Sequence, residues 1–220
     1  MSKHSYVPAL GFHWLTRFYD PLIALSLSEK TLKRRLIAQA AIAPGHDVLD
    51  VGCGTGTLAI LAKTQHPKAR VVGLDGDADV LAIARKKIEA AGLAIELREG
   101  LADSSSIFAP ESFDRVLTSL LLHHLTTEQK RLALTAMRGW LRPDGELHIL
   151  DFGPQDGPLL KLLSRSVGWL DGATRLRDNW DGRLPMLMRD AGFVRADEIA
   201  RALTPFGSVS FYTAALRTGP

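Results

Sequence analysis

The sequence predicts an α/β fold, a doubly wound sandwich with helices on both faces of a mostly parallel, seven-stranded sheet. Strand-like apolar runs alternate with helix-like patterns through the middle of the chain, the connectors are short, and a glycine-rich turn at 52–56 follows the first run. Strand–helix–strand units of this kind form right-handed crossovers between parallel strands. The 220 residues, 46% hydrophobic and 23% charged, are typical of a single large globular domain.

The first 43 residues are expected to form an N-terminal helical segment. Helical patterns cover 10–19 and 22–27, and Pro21 separates them because proline disrupts a helix interior. A basic amphipathic helix is predicted over 31–41.

Residues 44–220 are predicted to form the main domain. Its strands are expected at 47–51, 71–74, 93–97, 113–119, 146–151, 193–199 and 208–216, and its helices at 57–64, 79–91, 128–141, 159–169 and 184–191. Thr126 and Gln129 have the spacing of a capping box, which predicts a helix start at this point. Residues 154–191 interrupt the alternation and are predicted to be a helical insertion over a binding site.

The most informative segment is 48–56, which reads VLDVGCGTG. It joins the first strand to the first helix of the main domain, where glycines let the backbone approach a ligand closely. Asp75 ends the second strand, about 20 residues further on, the place of a carboxylate that binds ribose hydroxyls. A Rossmann-like fold with a nucleoside-containing ligand follows from this pair of features.

The glycine spacing narrows the ligand. Gly52, Gly54 and Gly56 do not have the Gly-x-Gly-x-x-Gly spacing of dinucleotide sites. Asp50 lies just before them and would repel a phosphate but favour an ammonium or sulfonium group. A cationic nucleoside ligand is therefore predicted.

Five ordered segments together resemble the motifs of class I S-adenosylmethionine-dependent methyltransferases. They are VLDVGCGTG at 48–56, VVGLD at 71–75, FDRV at 113–116, LHHL at 122–125 and LRPDGEL at 141–147. The resemblance spans about 44–151 and is nearest to the small-molecule branch that includes ubiquinone and menaquinone C-methyltransferases.

The resemblance implies S-adenosylmethionine as cofactor, S-adenosylhomocysteine as product, and a set of binding residues. Gly52 and Gly54 match residues that contact the methionine portion, and Asp75 matches the ribose-binding carboxylate. The cofactor-binding residues implied in this way, together with Asp50, are Tyr19, Asp50, Gly52, Gly54, Asp75, Gly76, Leu101, Ala102 and Ser119. Leu101 stands where many relatives have an aspartate for adenine, and Gly76 stands where an apolar residue usually packs on adenine.

The aromatic segment around Tyr19 has two open interpretations. In relatives, the segment before the first motif often closes over the cofactor as a lid, and a tyrosine followed by aspartate recurs there. Packing of the same residues on the sheet is the other interpretation.

His123 and His124 are candidate catalytic residues because they follow the fourth strand, at the ligand end of the sheet. A histidine there could accept a proton from a hydroxyl or amine. The alternative for each is a structural role at the strand end.

The composition argues against a nucleic-acid partner, a metal site and a membrane span. The net charge of +3 is spread without a basic block, so no nucleic-acid partner is expected. No metal site is predicted, since Cys53, the one cysteine, has no other ligand at a suitable spacing. No transmembrane segment or signal peptide is expected, a lone cysteine suits the cytoplasm, and no feature specifies an oligomeric state.

The sequence thus predicts a methyltransferase acting on a small, apolar or amphipathic acceptor at an oxygen, nitrogen or carbon atom. Residues 154–191 would roof the acceptor pocket. The alternatives left open are a nicotinamide-dependent oxidoreductase and a cofactor-binding protein without activity.

Overall fold

In the computed structural model, residues 27–157, 173–204 and 207–217 are described, and their strands form one sheet. The strands are β1 Asp47–Val51, β2 Arg70–Asp75, β3 Ile95–Glu99, β4 Phe113–Ser119, β5 Leu141–Phe152, β6 Arg195–Thr204 and β7 Gly207–Ala215. Their order across the sheet is β3-β2-β1-β4-β5-β7-β6. The first five strands are parallel, and β7 runs antiparallel between β5 and β6, which confirms the mostly parallel, seven-stranded sheet.

Six helices of the described ranges connect or cover these strands. They are α1 Leu27–Gln39, α2 Thr57–Gln65, α3 Ala78–Ala90, α4 Thr127–Trp140, α5 Ala173–Trp180 and α6 Leu184–Asp190. Short 3-10 turns lie at Ser105–Ile107 and Leu122–His124. None of the helices in the described ranges is long and apolar enough to cross a bilayer.

Alternate strand residues supply two cores, one on each face of the sheet. Leu49 and Val51 of β1 join the core that α4 and α6 cover, whereas Val48 joins the core under α1 and α2. This period of two is the usual consequence of pleating, and burial on both faces explains the nearly continuous apolar strands.

The capping box that begins α4 is confirmed. The Thr126 side chain accepts from the Gln129 backbone N–H, and the Gln129 side chain accepts from the Thr126 backbone N–H. Most other predicted elements are also present, with ends shifted by one or two residues.

Four differences are larger. α1 begins at Leu27, earlier than the predicted start at residue 31. β6 continues to Thr204, beyond the predicted end at residue 199, because its pairing with β7 extends as far as Gly207. β5 begins at Leu141, directly after α4, instead of at residue 146. The turn-like residues 143–145 form an irregularity within the strand, where its register with β4 shifts. α5 was not predicted, since Leu176 is its one fully buried large apolar residue.

Several predictions fall outside the described residues. These are the helices at 10–19 and 159–169, most of the helix at 22–27, and Tyr19.

Candidate functional site

The glycine turn lies between β1 and α2, at the carboxyl edge of the sheet. Gly52, Gly54 and Gly56 all have positive φ, at +68°, +55° and +79°, which is the conformation that favours glycine. A Cβ atom on Gly52 would also lie 2.8 Å from the Leu121 side chain, so a larger residue here would force that side chain to move. The turn therefore presents backbone, not side chains, toward the ligand edge.

Asp75 closes this turn from the end of β2. Its Oδ2 accepts a hydrogen bond of 2.8 Å from the Gly54 N–H, and its Oδ1 accepts one of 3.0 Å from the Asp77 N–H. Burial raises the pKa of Asp75, and these two N–H groups oppose the rise. The predicted pairing of Asp75 with the glycine turn is thus a direct contact.

Asp77, and not Asp75, caps α3. Its Oδ1 accepts hydrogen bonds of 2.9 and 3.2 Å from the N–H groups of Asp79 and Val80. The cap of this helix is therefore supplied by Asp77, and Asp75 contacts the glycine turn instead.

Asp50 is a buried carboxylate without a hydrogen-bond donor. It is 1% exposed, and neither oxygen has a hydrogen-bond partner within the described part of the chain. Burial raises its pKa to about 7, against the influence of the Lys33 charge and of a weak interaction with the Ala59 N–H that falls outside hydrogen-bonding geometry. The negative charge of Asp75 contributes to the rise. Such a group is costly unless it is protonated or meets a donor.

The remaining predicted cofactor residues lie at neighbouring strand ends. The Gly100 N–H donates to the Asp75 carbonyl at 2.9 Å, which brings Leu101 and Ala102 beside the end of β2, where Gly76 also lies. Ser119 ends β4, next to β1 in the sheet, and is 9% exposed. The parallel register therefore collects all the described members of the predicted set at one edge.

His123 lies on the Leu122–His124 turn after β4 and contacts Asp151 near the end of β5. The His123 Nδ1 is 2.7 Å from the Asp151 Oδ1, and both side chains are buried. Burial alone would raise the pKa of Asp151, but His123 and the Phe152 N–H stabilise the carboxylate and lower the pKa below its ordinary value. His124 is half-buried, with its ring 3.9 Å from that of His123 between centroids.

Sequence reasoning missed the contact between Asp151 and His123. The available signal was its place at the carboxyl end of β5, the strand beside β4. Ser119 pairs with Leu150 in the register of these strands, which puts the next residue on β5 beside the turn that carries His123.

A second buried ion pair fixes α5 near this turn. The Lys130 Nζ lies 3.3 Å from the Asp178 Oδ2 and donates to the Arg175 carbonyl at 2.5 Å. Burial lowers the pKa of Lys130, against the opposing charges of Asp178 and Asp151. The Asn179 side chain donates to the Phe152 carbonyl at 3.1 Å, so α5 covers the end of β5. This part of the predicted 154–191 insertion thus lies at the same edge as the glycine turn.

Comparison with known proteins identifies the family. Residues 48–145 match a family model described as "Methyltransferase domain". The demethylmenaquinone methyltransferase of Lactobacillus johnsonii is 31% identical over 178 residues, which are 77% of this chain and 70% of that protein. The chain belongs to the class I S-adenosylmethionine-dependent methyltransferases. The resemblance stated from the five motifs is confirmed.

Other members of the family match over shorter stretches. The demethylmenaquinone methyltransferase of Thermus thermophilus is 36% identical over 123 residues, covering 56% of this chain and 54% of its own length. The chain spans between 54% and 62% of the length of the first curated relatives that it matches.

A solved structure shows the same fold. Magnesium protoporphyrin IX methyltransferase from Synechocystis, determined with bound S-adenosylhomocysteine, is 21% identical and has a TM-score of 0.65, covering 87% of this chain and 83% of its own. At this level of identity the likeness concerns the fold alone.

Proposed function

We propose that this protein transfers a methyl group from S-adenosylmethionine to a small-molecule acceptor. One observation carries the proposal: the Asp75 carboxylate is hydrogen-bonded to Gly54 within a turn of three left-handed glycines. Family membership supplies the cofactor that this arrangement would hold.

The residues of this edge fit the proposed cofactor. Each oxygen of Asp75 accepts one backbone N–H, and a carboxylate oxygen has capacity for a further donor such as a ribose hydroxyl. Asp50 places an unpaired carboxylate directly before the turn, where it favours a cationic ligand over a phosphate. A dinucleotide would bring two negatively charged phosphates close to the Asp50 carboxylate, which would repel them.

Roles for the other residues follow from their positions. Gly52 and Gly54 would lie against the methionine portion, and Gly76, Leu101 and Ala102 would border the adenine. Ser119 closes the site from the end of β4. Tyr19 and the segment before α1 would form a lid over the cofactor, whereas α1 itself packs on the sheet.

The bound cofactor would supply an electrophilic methyl group on a sulfonium. The chain itself would hold the acceptor in line with that group and exclude water, and both effects lower the barrier to such a displacement. His123 and His124 are the candidates for proton transfer, and the 154–191 insertion would roof the acceptor.

The acceptor is proposed to be apolar or amphipathic. The relatives named demethylmenaquinone methyltransferase support this class for the chain. Cytoplasmic function is part of the proposal, supported by the single, buried Cys53, and cell fractionation would test it.

A thermal-shift assay with a methyl-release screen tests the function. S-adenosylhomocysteine should raise the melting temperature, NADH should not, and phenols, amines and quinols should include a compound that is methylated. A shift with NADH alone would indicate an oxidoreductase, and a shift with S-adenosylhomocysteine but no turnover of any acceptor would indicate a cofactor-binding protein.

A further inference from the structure

The helix α3 contacts both halves of the proposed cofactor site. At its start, the Asp77 N–H donates to the Asp75 Oδ1 at 3.0 Å, and the Asp77 side chain caps the helix. Nearly two turns further on, Ala84 packs on Gly56, because a Cβ atom on this glycine would lie 3.3 Å from the Ala84 Cβ. One helix therefore joins the end of β2 to the last glycine of the turn.

Lys87, about one turn beyond Ala84, adds hydrogen bonds to this contact. Its Nζ donates to the Thr55 Oγ1 at 2.9 Å and to the Thr57 Oγ1 at 3.2 Å. The two threonines flank Gly56, which has a φ of +79° and forms the N-cap of α2 without a side-chain hydrogen bond. The lysine thus holds the chain on both sides of the glycine that begins α2.

The helix dipole does not account for the position of Lys87. Thr57 is the first residue of α2, and a positive charge is unfavourable at that end of a helix. The two hydroxyls accept hydrogen bonds from the ammonium group and offset this repulsion. Because the two effects oppose each other, the contact should add little to the overall stability of the fold. Its main consequence is the position of the turn.

These hydrogen bonds complete a closed ring of contacts at the ligand edge. The Gly54 N–H donates to the Asp75 Oδ2 at 2.8 Å, and the Asp75 Oδ1 accepts from the Asp77 N–H at the start of α3. The same helix returns to the turn through Lys87 and Thr55. A binding site that is held in shape before the ligand arrives loses less conformational entropy on binding.

We propose that Lys87 is a positioning residue for the cofactor, and that it keeps the glycine turn in its binding conformation through Thr55 and Thr57. The inference rests on the proposed methyltransferase function and extends it to a residue outside the five motifs. Since Lys87 acts through the turn, its effect should appear in cofactor binding and not in the transfer step.

Isothermal titration calorimetry with S-adenosylhomocysteine tests the inference on the full-length protein. Lys87→Met should bind roughly fivefold more weakly than wild type, because it removes both hydrogen bonds to the turn. Lys87→Arg should recover most of the affinity, since a guanidinium group can still donate to both hydroxyls. The control Lys86→Met removes the neighbouring charge from an exposed position of α3 and should bind like the wild type.

A double-mutant cycle shows whether Lys87 acts through the threonines. Thr57→Val should lower the affinity about threefold in the wild type and should cause no further loss in Lys87→Met. In the methyl-release assay, the KM for S-adenosylmethionine should rise in Lys87→Met while the kcat stays near that of the wild type. Hydrogen exchange without ligand should be faster at the Gly54 and Gly56 amides of Lys87→Met.

Urea denaturation separates this role from a general effect on the fold. The free energy of unfolding of Lys87→Met should stay close to that of the wild type. Wild-type affinity in Lys87→Met, an equal loss in Lys86→Met, no recovery in Lys87→Arg, or a loss of affinity that merely accompanies a large loss of stability would overturn the inference. Failure of the folded wild type to bind S-adenosylhomocysteine would instead overturn the proposed function.

Discussion

Among single residues, Asp50 has an unfavourable environment. Its carboxylate is buried and has no hydrogen-bond donor, and burial raises its pKa to about 7. In the unfolded chain the pKa of an aspartate is near 3.9. Between these two values the folded state binds a proton that the unfolded state does not, so the contribution of Asp50 to stability falls as the pH rises. Above about pH 7 the folded state contains the charged Asp50 carboxylate, and the destabilisation reaches its full size.

Asp50→Asn should remove this dependence. Because asparagine does not titrate, the variant should gain stability relative to wild type by about 2–3 kcal/mol between pH 5 and pH 8, as measured by urea denaturation. Asp190→Asn, an exposed site on the last turn of α6, should follow the wild type across the same range. If the difference in the free energy of unfolding between Asp50→Asn and wild type does not change with pH, Asp50 does not titrate between these pH values.

Asp50 should also link cofactor binding to pH. A cationic ligand stabilises the charged carboxylate and lowers its pKa, so binding below about pH 7 should release a proton. Calorimetry with S-adenosylmethionine at pH 6, in two buffers of different ionisation enthalpy, should give different heats for wild type and equal heats for Asp50→Asn. Equal heats for the wild type would count against a cation next to Asp50.

The glycine turn gives a matched pair of substitutions. Gly52→Ala meets both a left-handed φ and the Leu121 side chain, so it should lower the affinity for S-adenosylhomocysteine by about tenfold or more. Gly45→Ala, with φ of +88° and no atom within 4 Å of its Cβ position, carries backbone strain away from the site. It should lose stability and keep the affinity. Equal losses of affinity in both would indicate a general effect of instability.

At the scale of elements, a buried ion pair is one of the contacts that hold α5 in place. Lys130 and Asp178 are almost completely buried, and Thr127 and Arg183 complete the contacts of the Asp178 carboxylate. Removing one charge leaves the other with fewer partners in a water-poor environment. The position of α5 over the ligand edge therefore relies on both members of the pair.

Lys130→Met should destabilise the protein by about 3 kcal/mol in urea denaturation. The double variant Lys130→Met/Asp178→Leu should recover part of the loss, because no unpaired carboxylate remains. If the double variant loses as much as the sum of the two single variants, the ion pair contributes no coupling energy.

Elements with strong local signals were predictable from the sequence. The alternation of apolar runs fixes β1 and β4 at their observed residues, and the capping box places the start of α4 within one residue. α5 has no such signal. Its main polar contact joins Asp178 to Lys130 of α4, and charged residues of this kind are typical of a protein surface. Its position depends on tertiary pairing between residues 48 apart.

At the scale of the whole molecule, the parallel sheet brings the site together. Strand ends that are distant in sequence meet at one edge, which is why Asp50 and Asp75 could be assigned to one site from their positions, and Ser119 from the family resemblance. The pairing of His123 with Asp151 could not, since it depends on the register between β4 and β5 and on the turn that follows β4. The features that depend on backbone turns were therefore predictable from the sequence. The contacts between side chains of different elements were not.

Isothermal titration calorimetry with S-adenosylhomocysteine tests the central claim most directly. The wild type should bind one molecule per chain, and Asp75→Ala should bind about tenfold more weakly or worse, because it would lose the proposed ribose contact as well as the hydrogen bond from the Gly54 N–H. Absence of heat with folded wild-type protein, or equal affinity in Asp75→Ala, would contradict the claim that the glycine turn and Asp75 hold the cofactor.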